Sequence, residues 1–219
     1  PVGMRGTNKG TIEVSKIPPI NLEKRLQYLI RYPHGCLEQT TSGVFPQLYL
    51  SSLLDLDQKQ KAEIEFNIRE GINKIKKFQL SDGGLSYWQG NTNTNDWGSS
   101  YAGHFMLEAQ AKGYSLPTGF LSNWIKYQTK LANAWQSRGV NKNNYYYYGQ
   151  NDELMQVYRL YTLALAKKPA LGAMNRMKEM KQLSVSAKWR LAAAYELAGK
   201  SSVAKKLIEN ISTTVESYK

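Results

Sequence analysis

Cys36 is the only cysteine in the 219-residue chain. It stands in the stretch Tyr32-Pro33-His34-Gly35-Cys36-Leu37-Glu38-Gln39-Thr40-Thr41. A lone cysteine is ordinarily a small buried hydrophobe. This one follows a glycine at the predicted start of a helix, where the partial positive charge of the helix end favours a thiolate. Gln39 lies three residues on, and positions i and i+3 share one face of a helical turn. The cysteine sulfur and the glutamine side-chain carbonyl can therefore meet, and loss of ammonia would join them as an internal thioester. Sulfur donates poorly into a carbonyl and leaves well, so that bond is open to water and amines and must be kept dry. Tyr32, Tyr87, Trp88, Trp97 and Tyr147 are candidate shields.

The elements that must position this pair read as helices. Asn21 can cap a first helix carrying Leu22, Leu26 and Leu29, stopped by Pro33. A second begins between Cys36 and Thr40 and carries Val44, Leu48 and Leu53, with Pro46 bending it or shifting its start. Asp57 can cap a third, with Ile64, Ile68, Ile72 and Ile75 as its apolar stripe. Residues 79–97 form a loop whose Gly83 and Gly84 supply positive φ angles, with Tyr87, Trp88 and Trp97 as anchors on the core. A fourth helix runs from Gly98 to Lys112. Pro117 suits the first turn of a fifth, which carries Phe120, Trp124, Tyr127, Leu131 and Trp135. A second polar loop, 137–151, contains Tyr145 to Tyr148. Helices follow over 152–168, 170–181, 185–198 and 201–212. A weak repeat at an offset of 31 residues relates Tyr158-Arg159-Leu160 to Trp189-Arg190-Leu191. The fold class is all-α.

Residues 1–20 differ. Gly3, Gly6 and Gly10 loosen the start, Thr11 to Ser15 alternate apolar and polar as in a short strand, and Pro18-Pro19 ends it. This segment reads as a linker or strand remnant of a preceding β domain, with one domain over 21–219. A chain beginning at Pro1 reads as an excised or processed piece.

Composition excludes several classes. With 42% hydrophobic residues, 5 Trp and 15 Tyr, the chain can bury a core and is not a disordered segment. It contains no run of 18 apolar residues, so no direct membrane span is expected. One cysteine and two histidines exclude a cysteine-based zinc finger and argue against a histidine-rich metal site, and no cofactor is expected. The net charge of +12 is concentrated in residues 111–219, with 17 basic and 6 acidic residues, against 12 and 11 in residues 1–110. No nucleic-acid-binding pattern accompanies the basic half, so a solvated face is the expected reading and no nucleic-acid partner is assigned.

Gly35-Cys36-Leu37-Glu38-Gln39-Thr40 resembles the thioester motif of the α2-macroglobulin and complement superfamily. Leu29-Ile30-Arg31-Tyr32-Pro33 before it and Phe45-Pro46-Gln47-Leu48 after it are similar to the bacterial branch. Gln79-Leu80-Ser81-Asp82-Gly83-Gly84-Leu85-Ser86-Tyr87-Trp88 resembles a recurrent loop of that family, and Tyr101-Ala102-Gly103-His104-Phe105 is also similar. The resemblance implies an α/α toroid, a ring of helical hairpins, incomplete here because the family's toroids run longer. It implies a thioester between Cys36 and Gln39, with Gly35, Glu38, Tyr32, Pro33 and His34 as motif support. It also implies a broad-spectrum protease inhibitor rather than an enzyme. After bait cleavage elsewhere in the full protein, a lysine amine of the protease attacks the Gln39 acyl group in a single turnover. The implied partners are proteases and neighbouring domains of the same protein; the implied location is the periplasm or cell envelope, in defence.

Two departures bear on that reading. Leu37 replaces the glycine common in animal members. Residues 135–151 carry tyrosines where some complement members carry a histidine that passes the acyl group to hydroxyls, which favours direct attack by amines. Two other classes remain open from the residues alone. One is a helical-repeat module binding a partner through its basic half. The other is an α/α-toroid carbohydrate-active enzyme using Asp82 or Asp96.

Overall fold

The computed structural model describes residues 26–136, 149–181 and 183–213. The described residues are helical, with no strand beyond two isolated antiparallel bridges, Gln79 with Leu85 and Ser86 with Thr94. The helices are α1 (Leu37–Val44), α2 (Gln47–Leu50), α3 (Gln58–Lys77), α4 (Asp96–Ala111), α5 (Phe120–Ala134), α6 (Gly149–Leu165), α7 (Leu171–Lys178), α8 (Val185–Leu197) and α9 (Ser201–Ile208). The expected strand or tail over 1–20 and the tyrosine run including Tyr147 lie outside the described residues. No helix among the described residues is long and apolar enough to cross a membrane.

Local chemistry explains most of the boundaries. Asp57 accepts the Gln60 amide at 2.7 Å, and Gln60 Oε1 accepts the Asp57 amide at 3.0 Å, a reciprocal cap that starts α3. The isoleucine stripe of α3 is buried throughout. Helix α4 starts two residues earlier than its sequence suggests, because the Asn95 side chain accepts the Gly98 amide at 2.7 Å.

Three expectations need correction. The chain leaves helical geometry by Tyr28, well before Pro33, because Arg31 and Pro33 are held from other elements in a non-helical path. Pro46 does more than bend its helix: it separates α1 from α2, and Leu53 lies beyond both, 64% exposed, instead of in the core. Helix α5 begins after Pro117, at Phe120, because Gly119 adopts φ 76°, outside the right-handed helical region.

Two apolar clusters form the core. The first runs from Leu37 through the α3 stripe to Phe105, Phe120 and Trp124; the second gathers Ala132, Leu160, Met174, Leu191 and Tyr195. Ile125 of α5 packs on both and joins them. Trp124 is fully buried and donates its indole N–H to the Ser99 carbonyl at 2.7 Å, so its polar edge is satisfied within the apolar core.

The two copies of the weak repeat fall on α6 and α8, which pack together. Leu160 and Leu191 are equivalent core residues, but the adjacent arginines have diverged. Arg159 is buried, donating to Gln128 Oε1 at 2.9 Å and Gln156 Oε1 at 2.8 Å and pairing with Asp96 at 3.3 Å. Arg190 is exposed and lies over the Tyr158 ring, 5.0 Å from its centroid.

Candidate functional site

Cys36 is the N-cap of α1, with extended backbone at φ −70° and ψ 175°, and it is 2% exposed. Gln39 occupies the third helical position. Its side chain folds back so that Oε1 accepts the Cys36 amide at 3.1 Å. This geometry requires Gly35. Its φ is +86°, and a Cβ there would lie 2.9 Å from Gln39 Cδ and overlap Oε1. A first helical turn therefore brings the acyl carbon of Gln39 over the residue that carries the thiol, with Cys36 buried and Gln39 at the surface.

The turn is held from behind. Leu37, Thr40 and Thr41 are fully buried, and Thr41 Oγ1 donates to the Leu37 carbonyl at 2.7 Å. Gln47 is also buried, although nothing in its residue type marks it as structural. Its amide nitrogen donates to the Arg31 carbonyl at 2.8 Å and the Gly43 carbonyl at 2.7 Å, while its oxygen accepts from Asn67 of α3 at 3.1 Å. Gln47 thus ties the chain entering the site to α1 and to α3. Its place in the Phe45-Pro46-Gln47-Leu48 segment was the available signal. Replacing Gln47 by leucine leaves Asn67 and the Arg31 carbonyl unpaired in a buried setting. We expect a loss of about 2 kcal/mol in chemical denaturation; a loss below a few tenths would show that water replaces these bonds.

The flanking residues are fastened to α3. Tyr32 donates to Glu70 Oε2 at 2.9 Å, and this hydrogen bond is the first cause raising its phenol above the usual tyrosine range. Lys74 sits over the Tyr32 ring at 4.3 Å and donates to the Pro33 carbonyl at 2.7 Å. His34 is exposed and packs its ring 4.7 Å from that of Tyr32. Glu70 and Lys74 were not singled out by sequence, since an i,i+4 pair of opposite charges on a helix ordinarily reads as a solvated face.

The loop after α3 supplies the front of the site. Asp82 accepts the Gly84 amide at 2.9 Å and so shapes the turn. Gln79 donates to the Phe120 carbonyl at 3.0 Å, binding the loop to α5. Leu85 is fully buried, and its amide donates to Ser99 Oγ at 2.8 Å. The loop is anchored by Leu85, correcting the expectation for Trp88 and Trp97. Trp88 is 51% exposed, because the main chain between Leu85 and Asn95 turns at the surface, and Trp97, in the first turn of α4, is 40% exposed.

Of the proposed shields, Tyr87 reaches the Cys36–Gln39 turn. Its carbonyl accepts the Leu37 amide at 3.0 Å, at the start of α1. Its hydroxyl donates to Glu38 Oε2 at 3.3 Å. The neighbouring Cys36 side chain, burial and Glu38 push the phenol up to about 12. Trp88 packs edge-on against Tyr87 at 5.9 Å. The Trp97 ring lies tilted against Tyr101 at 4.8 Å and, with His104, Tyr158, Tyr161 and Trp189, lines an open groove of about 630 Å³. His104 is engaged there: its Nδ1 lies 3.0 Å from the Tyr158 hydroxyl, and burial holds it below the usual imidazole value. Among the described residues no three His, Cys, Asp or Glu side chains gather as metal ligands.

Comparisons with known proteins identify the family and the fold. The family described as A-macroglobulin TED domain matches residues 11–130. The Escherichia coli (strain K12) protein named alpha-2-macroglobulin is 30% identical over 187 residues, covering 79% of this chain and 11% of that protein. The crystal structure of native E. coli alpha-2-macroglobulin from domain MG7 to the C-terminus superposes with a TM-score of 0.68 at 28% identity, over 88% of this chain and 31% of that one. That of the trypsin-activated E. coli protein superposes with a TM-score of 0.65 at 26% identity, over 81% and 13%. The chain thus spans about a tenth of the length of that curated relative. It belongs to the α2-macroglobulin family and carries that family's TED domain, with its all-α fold.

Proposed function

We propose that Cys36 and Gln39 are the two ends of an internal thioester, and that this domain is the covalent arm of a protease trap. The observation that carries this reading is the fold-back of Gln39 Oε1 onto the Cys36 amide at 3.1 Å. Formation requires attack of the Cys36 thiolate on Gln39 Cδ with loss of ammonia. Discharge requires attack of a lysine amine of a captured protease on the same carbon. A C–N bond forms, the C–S bond breaks, and Cys36 is left as a thiol. The site acts once per molecule, as a nucleophilic acyl transfer without turnover.

A trypsin-activated relative supports a protease as the trigger. Neighbouring domains of the longer protein would supply the bait segment and cover Gln39 before activation. By the same kinship we place the protein in the bacterial periplasm or cell envelope, in a defensive role. The carbohydrate-enzyme reading has less support, since Asp82 shapes its own turn and Asp96 is paired with Arg159. The test is the intact mass of the full-length protein before and after methylamine, with a thiol assay. We expect a mass short by one ammonia, then a methylamine adduct and one new thiol. A full calculated mass with Gln39 unchanged and Cys36 free would overturn the proposal.

A further inference from the structure

We propose that the Cys36 main-chain amide is the oxyanion donor of the acyl transfer, and that Thr40 is the positioning residue that aims it. The inference rests on the thioester reading and goes beyond it, because it assigns the groups that stabilise the charge formed when the bond opens.

The Cys36 N–H donates to Gln39 Oε1 at 3.1 Å. When ammonia departs, that oxygen stays on Cδ and becomes the thioester carbonyl oxygen. In the closed bond only Cα, Cβ and Sγ lie between the Cys36 nitrogen and Cδ, so the N–H keeps the oxygen within reach throughout the reaction. The next amide, that of Leu37, is engaged by the Tyr87 carbonyl at 3.0 Å, which leaves the Cys36 amide as the donor at Oε1.

The Gly35–Cys36 peptide that carries this N–H is held at its other end. Thr40 Oγ1 donates to the Gly35 carbonyl at 3.5 Å. Thr40 is fully buried and its own amide is on the Cys36 carbonyl at 2.9 Å, so the hydroxyl comes from a fixed helical position. A peptide unit is planar, and holding its carbonyl sets the direction of its N–H.

An amine attacks Gln39 Cδ and a C–N bond forms, while the carbonyl π pair moves onto Oε1. The hydrogen bond from Cys36 becomes charge-assisted and strengthens where the barrier is highest. The pair then returns, the C–S bond breaks, and its electrons go to Sγ. The nitrogen gives one proton to water and the thiolate takes one back. The Cys36 amide and Thr40 return unchanged.

The test uses the full-length protein carrying isotope-labelled glutamine, read by infrared difference on opening with methylamine and by the rate of thiol release. We expect the wild-type thioester carbonyl band to lie below that of an equally labelled alkyl thioester in hydrocarbon. Thr40→Val should keep the mass deficit of one ammonia, move the band up toward that reference, and release its thiol about tenfold more slowly. Thr40→Ser restores the hydroxyl and should return both readouts to wild type. A residue that only packs gives the opposite sign, since its loss loosens the turn and quickens release without moving the band. An equal or faster rate in Thr40→Val, or an unmoved band, overturns the assignment. If Thr40→Val does not fold, the wild-type band decides, because a band at the hydrocarbon position leaves the carbonyl without a donor and overturns the proposal. A wild-type protein without the mass deficit would overturn the thioester reading and this step with it. A wild-type deficit with an unaltered Thr40→Val overturns this step alone.

Discussion

Cys36→Ala abolishes covalent capture and leaves the fold standing. The side chain is 2% exposed, and trimming it from CH2–SH to a methyl group leaves a void of about one sulfur atom, so the stability loss should stay within about 2 kcal/mol. The chemical loss is complete, because no other cysteine exists in the chain to supply the sulfur. The variant should show its full calculated mass, no methylamine adduct, and no protease adduct surviving denaturing electrophoresis after trypsin treatment. Circular dichroism should match wild type. A denaturant-resistant protease adduct persisting in Cys36→Ala would place the acyl donor elsewhere and remove the basis for assigning it to Gln39.

Gly83→Ala is the structural counterpart, and it acts on the same site from the opposite side. Gly83 has φ +93°, where an alanine is strained by roughly 1–2 kcal/mol. Its Cβ would also lie 2.6 Å from the Asn123 carbonyl carbon and overlap the oxygen, which belongs to the backbone of α5 and has little room to give. The loop must then lift from α5, drawing Leu85 and Tyr87 with it. We expect a total loss of about 3 kcal/mol, or a fall in Tm of roughly 6–12 °C for a domain of this size. Gly90→Ala separates the two causes, since Gly90 has φ +86° but nothing within 4 Å of an added Cβ. It should show the strain alone. Should the two variants melt together, the contact with Asn123 contributes nothing and the loop is not seated by Gly83. The displaced loop in Gly83→Ala should also hasten spontaneous hydrolysis of the thioester, read as gain of a free thiol on storage.

Legibility in the sequence followed the range of the interactions involved. The Asp57 cap, the isoleucine stripe of α3 and the interruption at Pro46 are events within a few residues, and each has a residue type that announces it. Leucine spacing alone carries the first helical stretch to Pro33, beyond where it ends. What stops it is remote: Gln47 and Lys74 draw the Arg31 and Pro33 carbonyls out of a helical path. The place of Trp97 depends on a similar remoteness. Its aromatic character suits both a shield and a groove, and only the packing of α4 near α6 and α8 brings it to the groove.

The Cys36–Gln39 juxtaposition was determined by the sequence itself. A helical turn sets i against i+3, a glycine at 35 leaves room for the fold-back, and both facts are local. Tertiary structure decided which side chains attend that pair. Tyr87 is 51 residues from Cys36 in the chain, and it arrives there because Gly83, Gly84 and Leu85 seat its loop on α4 and α5. Glu38 could be read as an acidic motif position; its hydrogen bond from the Tyr87 hydroxyl depends on that arrival. The physical reason is that backbone geometry repeats along a helix and can be counted from residue spacing. Contact between distant segments depends on how buried surfaces fit, and no spacing rule contains that information.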